Sequence, residues 1–216
     1  MTLSITLIII IITCIISVTA FYNEKVFDDL IFYPPAISEH RQYYRFFTCG
    51  LIHANYMHLG FNMYSFWMFG NMVEKDFLWA FGEKGKWLYL LMYVSSLFFC
   101  LLPTYAKNRN NYNYRSLGAS GAVSAVVFAF IFMEPLQGLG LIIVPGLYIP
   151  GFIFGILYLV ISSILDKRGG GNINHSAHIW GALYGISFLI VASSVLSEHN
   201  IAVEFIEKIK NHHYRF

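Results

Sequence analysis

The sequence predicts an all-α membrane protein, a bundle of six transmembrane helices, on three observations. Hydrophobic residues make up 57% of the 216 and charged residues 12%, a balance outside that of soluble domains. The charges are also segregated: charge-free stretches occupy residues 1–23, 46–73, 87–106, 116–133, 135–165 and 169–197, and each can hold the ~20 residues that a spanning helix needs. Only short polar connections separate these stretches, so residues 1–216 are expected to form a single membrane domain with no separate soluble one. A scattered net charge of +2 gives no reason to expect nucleic acid as a partner. Cys14, Cys49 and Cys100 form neither a disulfide framework nor a CxxC metal clip.

The expected spans are about 3–22, 55–73, 87–104, 117–134, 146–165 and 175–196, with a surface helix over about 199–211. Span one is rich in Ile and suits a lipid-facing helix. Its Val-Thr-Ala ending is like a signal-peptide cleavage site, but no Lys or Arg precedes the apolar run, so a retained helix is expected. The connection over 22–48 mixes Pro34-Pro35 and several Tyr and Phe rings with four acidic and three basic residues, a composition that fits a structured segment at headgroup level. The charges of Glu74-Lys75 end span two, and span three runs to about Pro103 before Asn- and Tyr-rich turns through Arg115. Span four is short and full of small residues. Pro145, Gly146, Pro150 and Gly151 mark an irregular entrance to span five, which settles into helix near Phe152. Asp166-Lys167-Arg168 and three glycines precede span six. In the tail, Glu204, Glu207, Lys208 and Lys210 alternate with Ile201, Phe205 and Ile209, an amphipathic pattern.

Successive spans alternate in direction, so the starts of spans two, four and six share one face of the membrane. His58 and Asn62, four apart, share one side of span two. Ser120 follows Arg115 by about five residues, within ~8 Å of the polar boundary if helical, and His178 lies at similar depth in span six. A serine nucleophile needs a base for its proton and donors for the charge that develops on the attacked carbonyl. Ser120 with His178 meets the first need. Asn62, His58 and the Ser120 backbone N–H can meet the second. No Asp or Glu lies inside these spans to orient the imidazole, so the pattern is that of a dyad. Gly121, Ala125 and Ala129 on span four, and Gly181 and Gly185 on span six, are small residues that allow close backbone approach.

Each feature alone has a plainer reading. Gly118-Ala119-Ser120-Gly121 alone is more often a packing motif than a catalytic one, a buried His is as often a satisfied structural group, and Asn62 by itself reads as interhelical glue. Their conjunction at one depth favours chemistry. The pairs His53/His58 and His175/His178 invite a zinc reading, but five residues put His53 and His58 roughly 140° apart on a helix. No carboxylate or thiolate joins them and HExxH is missing. No metal or other cofactor is expected.

Tyr44-Arg45-Phe46-Phe47-Thr48, His53-Ala54-Asn55-Tyr56-Met57-His58 continuing to Asn62, Leu117 to Ala122, and Ala177-His178-Ile179-Trp180-Gly181 continuing to Gly185 resemble the rhomboid family of intramembrane serine proteases. The resemblance implies Ser120 as nucleophile, His178 as general base, and His58, Asn62 and the Ser120 backbone as oxyanion hole. It also implies structural support from Gly118, Gly121, Gly181 and Gly185, while Arg45 and Glu74 fix the first loop and the foot of span two. Substrates would be transmembrane proteins that enter sideways from among the membrane lipids and are cut near their extracytoplasmic ends. Two departures stand out. Tyr44 replaces a Trp found in some relatives, and Ser124 replaces a Tyr that packs on the imidazole in some; Trp180 or Phe61 is expected to take over that packing. The Gly169 to Gly171 turn and the entrance of span five are the expected moving gate. The alternative is an inactive rhomboid-like protein that binds transmembrane clients, against which the presence of both Ser120 and His178 argues. Eight Lys and Arg on the active-site face against six on the other give no orientation by the positive-inside rule. The small six-span form looks bacterial, so a plasma (inner) membrane is expected.

Overall fold

A computed structural model describes residues 4–141, 144–169 and 173–211. Helix α1 (Ile5–Tyr22) starts at Ser4, whose hydroxyl accepts the Leu7 N–H, and it buries Thr6, Thr13, Ser17 and Ala20. Its Ile8, Ile11, Ile12 and Ile15 are exposed. The arrangement inverts that of a soluble helix: lipid is as apolar as Ile, so the small and polar side chains turn inward to pack and hydrogen bond.

The first loop is built of three short helices, α2 (Glu24–Leu30), α3 (Pro34–His40) and α4 (Arg45–Thr48), and a 3-10 turn over Cys49–Leu51. Arg45 ties it together, donating to the carbonyls of Asp28 at 2.7 Å and Ile31 at 2.8 Å and to Gln42 Oε1 at 2.6 Å. A guanidinium at the end of α2 satisfies carbonyls that the helix leaves open. Paired backbone bonds between Phe32 and Ser116, at 3.0 and 3.1 Å, fasten this loop to the segment leading into the fourth span.

Helix α5 (Tyr56–Phe81) is 26 residues long, about 39 Å, and does not stop at Val73 as its charges suggested. Glu74 is buried, and its carboxylate receives the N–H groups of Ile5 and Thr6 and the Thr6 hydroxyl at 2.8, 3.1 and 3.0 Å. That charge is therefore a cap for the open first turn of α1 and not a helix terminus. The helix ends at Gly82, which has a positive φ of 59°. Helix α6 (Gly85–Phe99) ends before Pro103, and α7 (Leu102–Asn108) continues after a turn.

Helix α8 (Ser120–Met133) lies at the centre, with Gly121 to Val126 and Phe128 to Ile131 buried. It begins at Ser120, not at 117, because Gly118 has φ 107°. The entrance to span five, expected only to be irregular, is a strand. Strands β1 (Gly138–Leu141) and β2 (Val144–Pro150) pair antiparallel, Gly138 opposite Pro150 and Leu139 opposite Ile149, and α9 (Gly151–Arg168) starts only after them. Helix α10 (His175–Leu196) is capped by Asn174, whose side chain accepts the Ala177 N–H. The tail helix α11 (Ile201–Lys210) docks on the end of α8: Ile201 is buried, Phe205 stacks on Phe132 at 4.4 Å, and Lys208 pairs with Glu134 at 2.9 Å. Ile5–Tyr22, the continuous stretch Tyr56–Asn108 and His175–Leu196 are long and apolar enough to cross a membrane, and Ser120–Met133 is a shorter apolar helix. The chain is a helical membrane bundle.

Candidate active site

Two features of the chain bring Ser120 to its position. Gly118 is held by its N–H on the Cys49 carbonyl, 2.9 Å away, and turns the chain with a φ that favours glycine. A Cβ there would also sit 2.8 Å from Cε1 of His58, so the imidazole lies directly on this glycine. The helix then opens at Ser120, whose own backbone N–H is among the first four that a helix leaves unpaired.

His178 stands in the first turn of α10, and its Nε2 lies 2.7 Å from Ser120 Oγ. The helices that carry the two groups touch at their backbones. A Cβ on Gly181 would fall 2.0 Å from the Gly121 carbonyl oxygen, and one on Gly185 would fall 2.2 Å from that of Ala125. Gly121 itself faces Cys100 and the Ala177 carbonyl. With no side chains to hold α8 and α10 apart, the hydroxyl and the imidazole one turn away come within a single hydrogen bond.

The imidazole is not packed by Trp180 or Phe61, which are 47% and 55% exposed. Among the described residues its ring neighbours are His175, edge-on at 5.9 Å, and Tyr158 of α9, stacked at 6.4 Å and 25°. The Tyr158 hydroxyl lies 3.0 Å from Ser124 Oγ, so the small residue on α8 has become the partner of a ring from another helix. Sequence reasoning missed Tyr158. No spacing rule links positions 34 residues apart on different spans; the only signal was the unexplained Ser124.

His58 Nδ1 accepts a long bond, 3.4 Å, from the Ala54 N–H, which leaves Nε2 to carry the proton beside Gly118. Asn62 spends one amide N–H on the His58 carbonyl at 3.0 Å and keeps the other. His53 lies in the segment before α5 and is fully buried. The Ser17 hydroxyl donates to the Leu51 carbonyl at 2.8 Å and so receives the His53 Nδ1–H at 2.9 Å. Burial, and then the neighbouring His58, push the His53 pKa down to about 3, so it is a neutral structural group. No described carboxylate bonds to His178, and the described residues contain no group of three or more His, Cys, Asp or Glu arranged for a metal. Arg45 and Glu74 lie away from the dyad, in the first loop and at the far end of α5. Gly170 and Gly171 of the expected gate lie outside the described residues.

The arrangement sets a hydroxyl at a helix N-terminus within one hydrogen bond of an imidazole that can take its proton. Comparison with known proteins agrees with this architecture. The chain is 30% identical over 154 residues, 67% of its length, to Rhomboid-like protein 11, chloroplastic, from Arabidopsis thaliana, and spans half the length of that relative. Residues 40–195, from the end of α3 through nearly all of α10 and with them His58, Asn62, Ser120, Tyr158 and His178, match the rhomboid domain. The chain therefore belongs to the rhomboid family of integral membrane proteins.

Proposed function

We propose that this chain is an intramembrane serine endopeptidase that cleaves transmembrane protein substrates through a Ser120–His178 dyad and an acyl-enzyme. The observation that carries this reading is the 2.7 Å contact between Ser120 Oγ and His178 Nε2. As Oγ attacks the scissile carbonyl carbon, Nε2 takes its proton, and the carbonyl oxygen becomes an oxyanion. The Ser120 N–H, the His58 Nε2–H and the second Asn62 N–H are its donors. The imidazolium then protonates the leaving amine, and the C–N bond breaks to leave an ester on Ser120. His178 next removes a proton from water, the hydroxide oxygen attacks the ester, and the new carboxyl product departs as Oγ regains its proton. No metal or cofactor takes part in this scheme.

Substrates reach the dyad from the surrounding lipid, with the site on the extracytoplasmic face, as the family resemblance implies. A bacterial plasma membrane rests on the small form of the chain alone and gains nothing from a relative named as chloroplastic. A fluorophosphonate probe tests the chemistry. It should label the folded protein, and Ser120→Ala or His178→Ala should lower the labelling rate by about 10⁴-fold or more. A folded sample that takes no label would overturn the protease reading in favour of a protein that binds transmembrane clients without cutting them.

A further inference from the structure

The base of the proposed dyad is steadied from outside the two helices that carry it. Tyr158 belongs to α9, and its ring lies along the His178 imidazole at 6.4 Å and 25°. Three contacts fix that ring. Phe128 of α8 meets it at 5.5 Å, Phe154 of its own helix at 6.2 Å, and its hydroxyl lies 3.0 Å from Ser124 Oγ. Ser124 is one turn beyond Ser120 on the same side of α8, so the tether is anchored directly beneath the nucleophile. A large side chain at 124 would compete for the volume that the Tyr158 ring now fills.

The helix that supplies the ring packs against the bundle along one side. Only Gly151, Gly155 and Ser162 of α9 are buried, while Ile156, Leu157, Val160, Ile161 and Ile164 face outward. By contrast, α8 and α10 are in backbone contact at two glycines and cannot separate without breaking the bundle centre.

We propose that Tyr158, tethered by Ser124, is the positioning residue for the His178 imidazole, so that alignment of the dyad depends on α9 lying against α8. This assignment rests on the proteolytic reading above.

The test uses the full-length protein and a small fluorophosphonate, which needs the dyad but not the passage of a helix. Tyr158→Leu removes ring and tether and should lower the inactivation rate constant by about 10²-fold, the scale of a misplaced catalytic group, with little change in the concentration for half-saturation. Tyr158→Phe keeps the ring and should restore most of that loss. Ser124→Ala, which removes a single oxygen, should be no slower than Tyr158→Phe, and the double variant Ser124→Ala/Tyr158→Phe should be no slower than Tyr158→Phe alone, since that variant has already lost the Ser124 bond. Wild-type rates in folded Tyr158→Leu, or full additivity of the two tether variants, would overturn the proposal. Should Tyr158→Leu fail to fold, Ser124→Ala and Tyr158→Phe decide the matter by themselves. Absence of labelling in the folded wild type is a different result, and it removes the proteolytic reading on which the assignment rests.

Discussion

At Gly118 two demands meet in one residue: a left-handed backbone turn and an imidazole resting where a Cβ would stand. Both make glycine the fitting choice, and both place His58 beside the start of α8. The proton on His58 Nε2 follows from the Ala54 N–H bonded to Nδ1. His58→Ala should therefore lower kcat for a transmembrane substrate by about 10²- to 10³-fold with KM little changed; an unaltered kcat in steady-state assays would remove His58 from the oxyanion hole. His53 behaves differently although it is only five residues away. It is buried and bonded to Ser17 of α1, and so belongs to the framework that holds the first loop against the bundle.

At the scale of elements, the glycines sort into those that set a distance and those that do not. Gly181 on α10 faces the Gly121 carbonyl so closely that any Cβ must push the helices apart. Gly181→Ala should destabilise the protein by about 1–3 kcal/mol and slow fluorophosphonate labelling. Gly60 in α5 has open space around its missing Cβ, so Gly60→Ala should stabilise by about 0.5–1 kcal/mol. Thermal unfolding in detergent compares the two, and equal shifts in the same direction would contradict the packing account. The misplaced boundary at Val73 belongs to this scale as well. A carboxylate within an apolar run signals a helix end only if water is its partner; Glu74 has the first turn of α1 instead.

Across the whole molecule, the dyad lies at one end of the bundle, where α5, α8 and α10 all begin, and the turn after α5 lies at the other. The loop charges do not say which end faces the cytoplasm. The helix directions do say that the turn after α7 and the turn after α5 lie on opposite sides of the membrane. Asn110→Cys and Lys84→Cys should accordingly react with an impermeant maleimide from opposite sides of sealed vesicles, above a background in which native Cys49 and Cys100 are buried. Labelling of both from the same side would disprove the arrangement.

The sequence by itself determined which segments are apolar, which residues share a depth, and which small residues permit close packing, because each of these is written in local composition and in the helical repeat. The contact between Ser120 and His178 and the place of His58 beside Gly118 were legible for that reason. Tertiary structure decided what no local pattern encodes. A buried charge became the cap of a distant helix, a Gly- and Pro-rich entrance became a strand paired with β1, and a tyrosine from α9 filled the space beside the base that Ser124 leaves open. Each is a contact between residues far apart in the chain, and only the packed bundle brings those partners together.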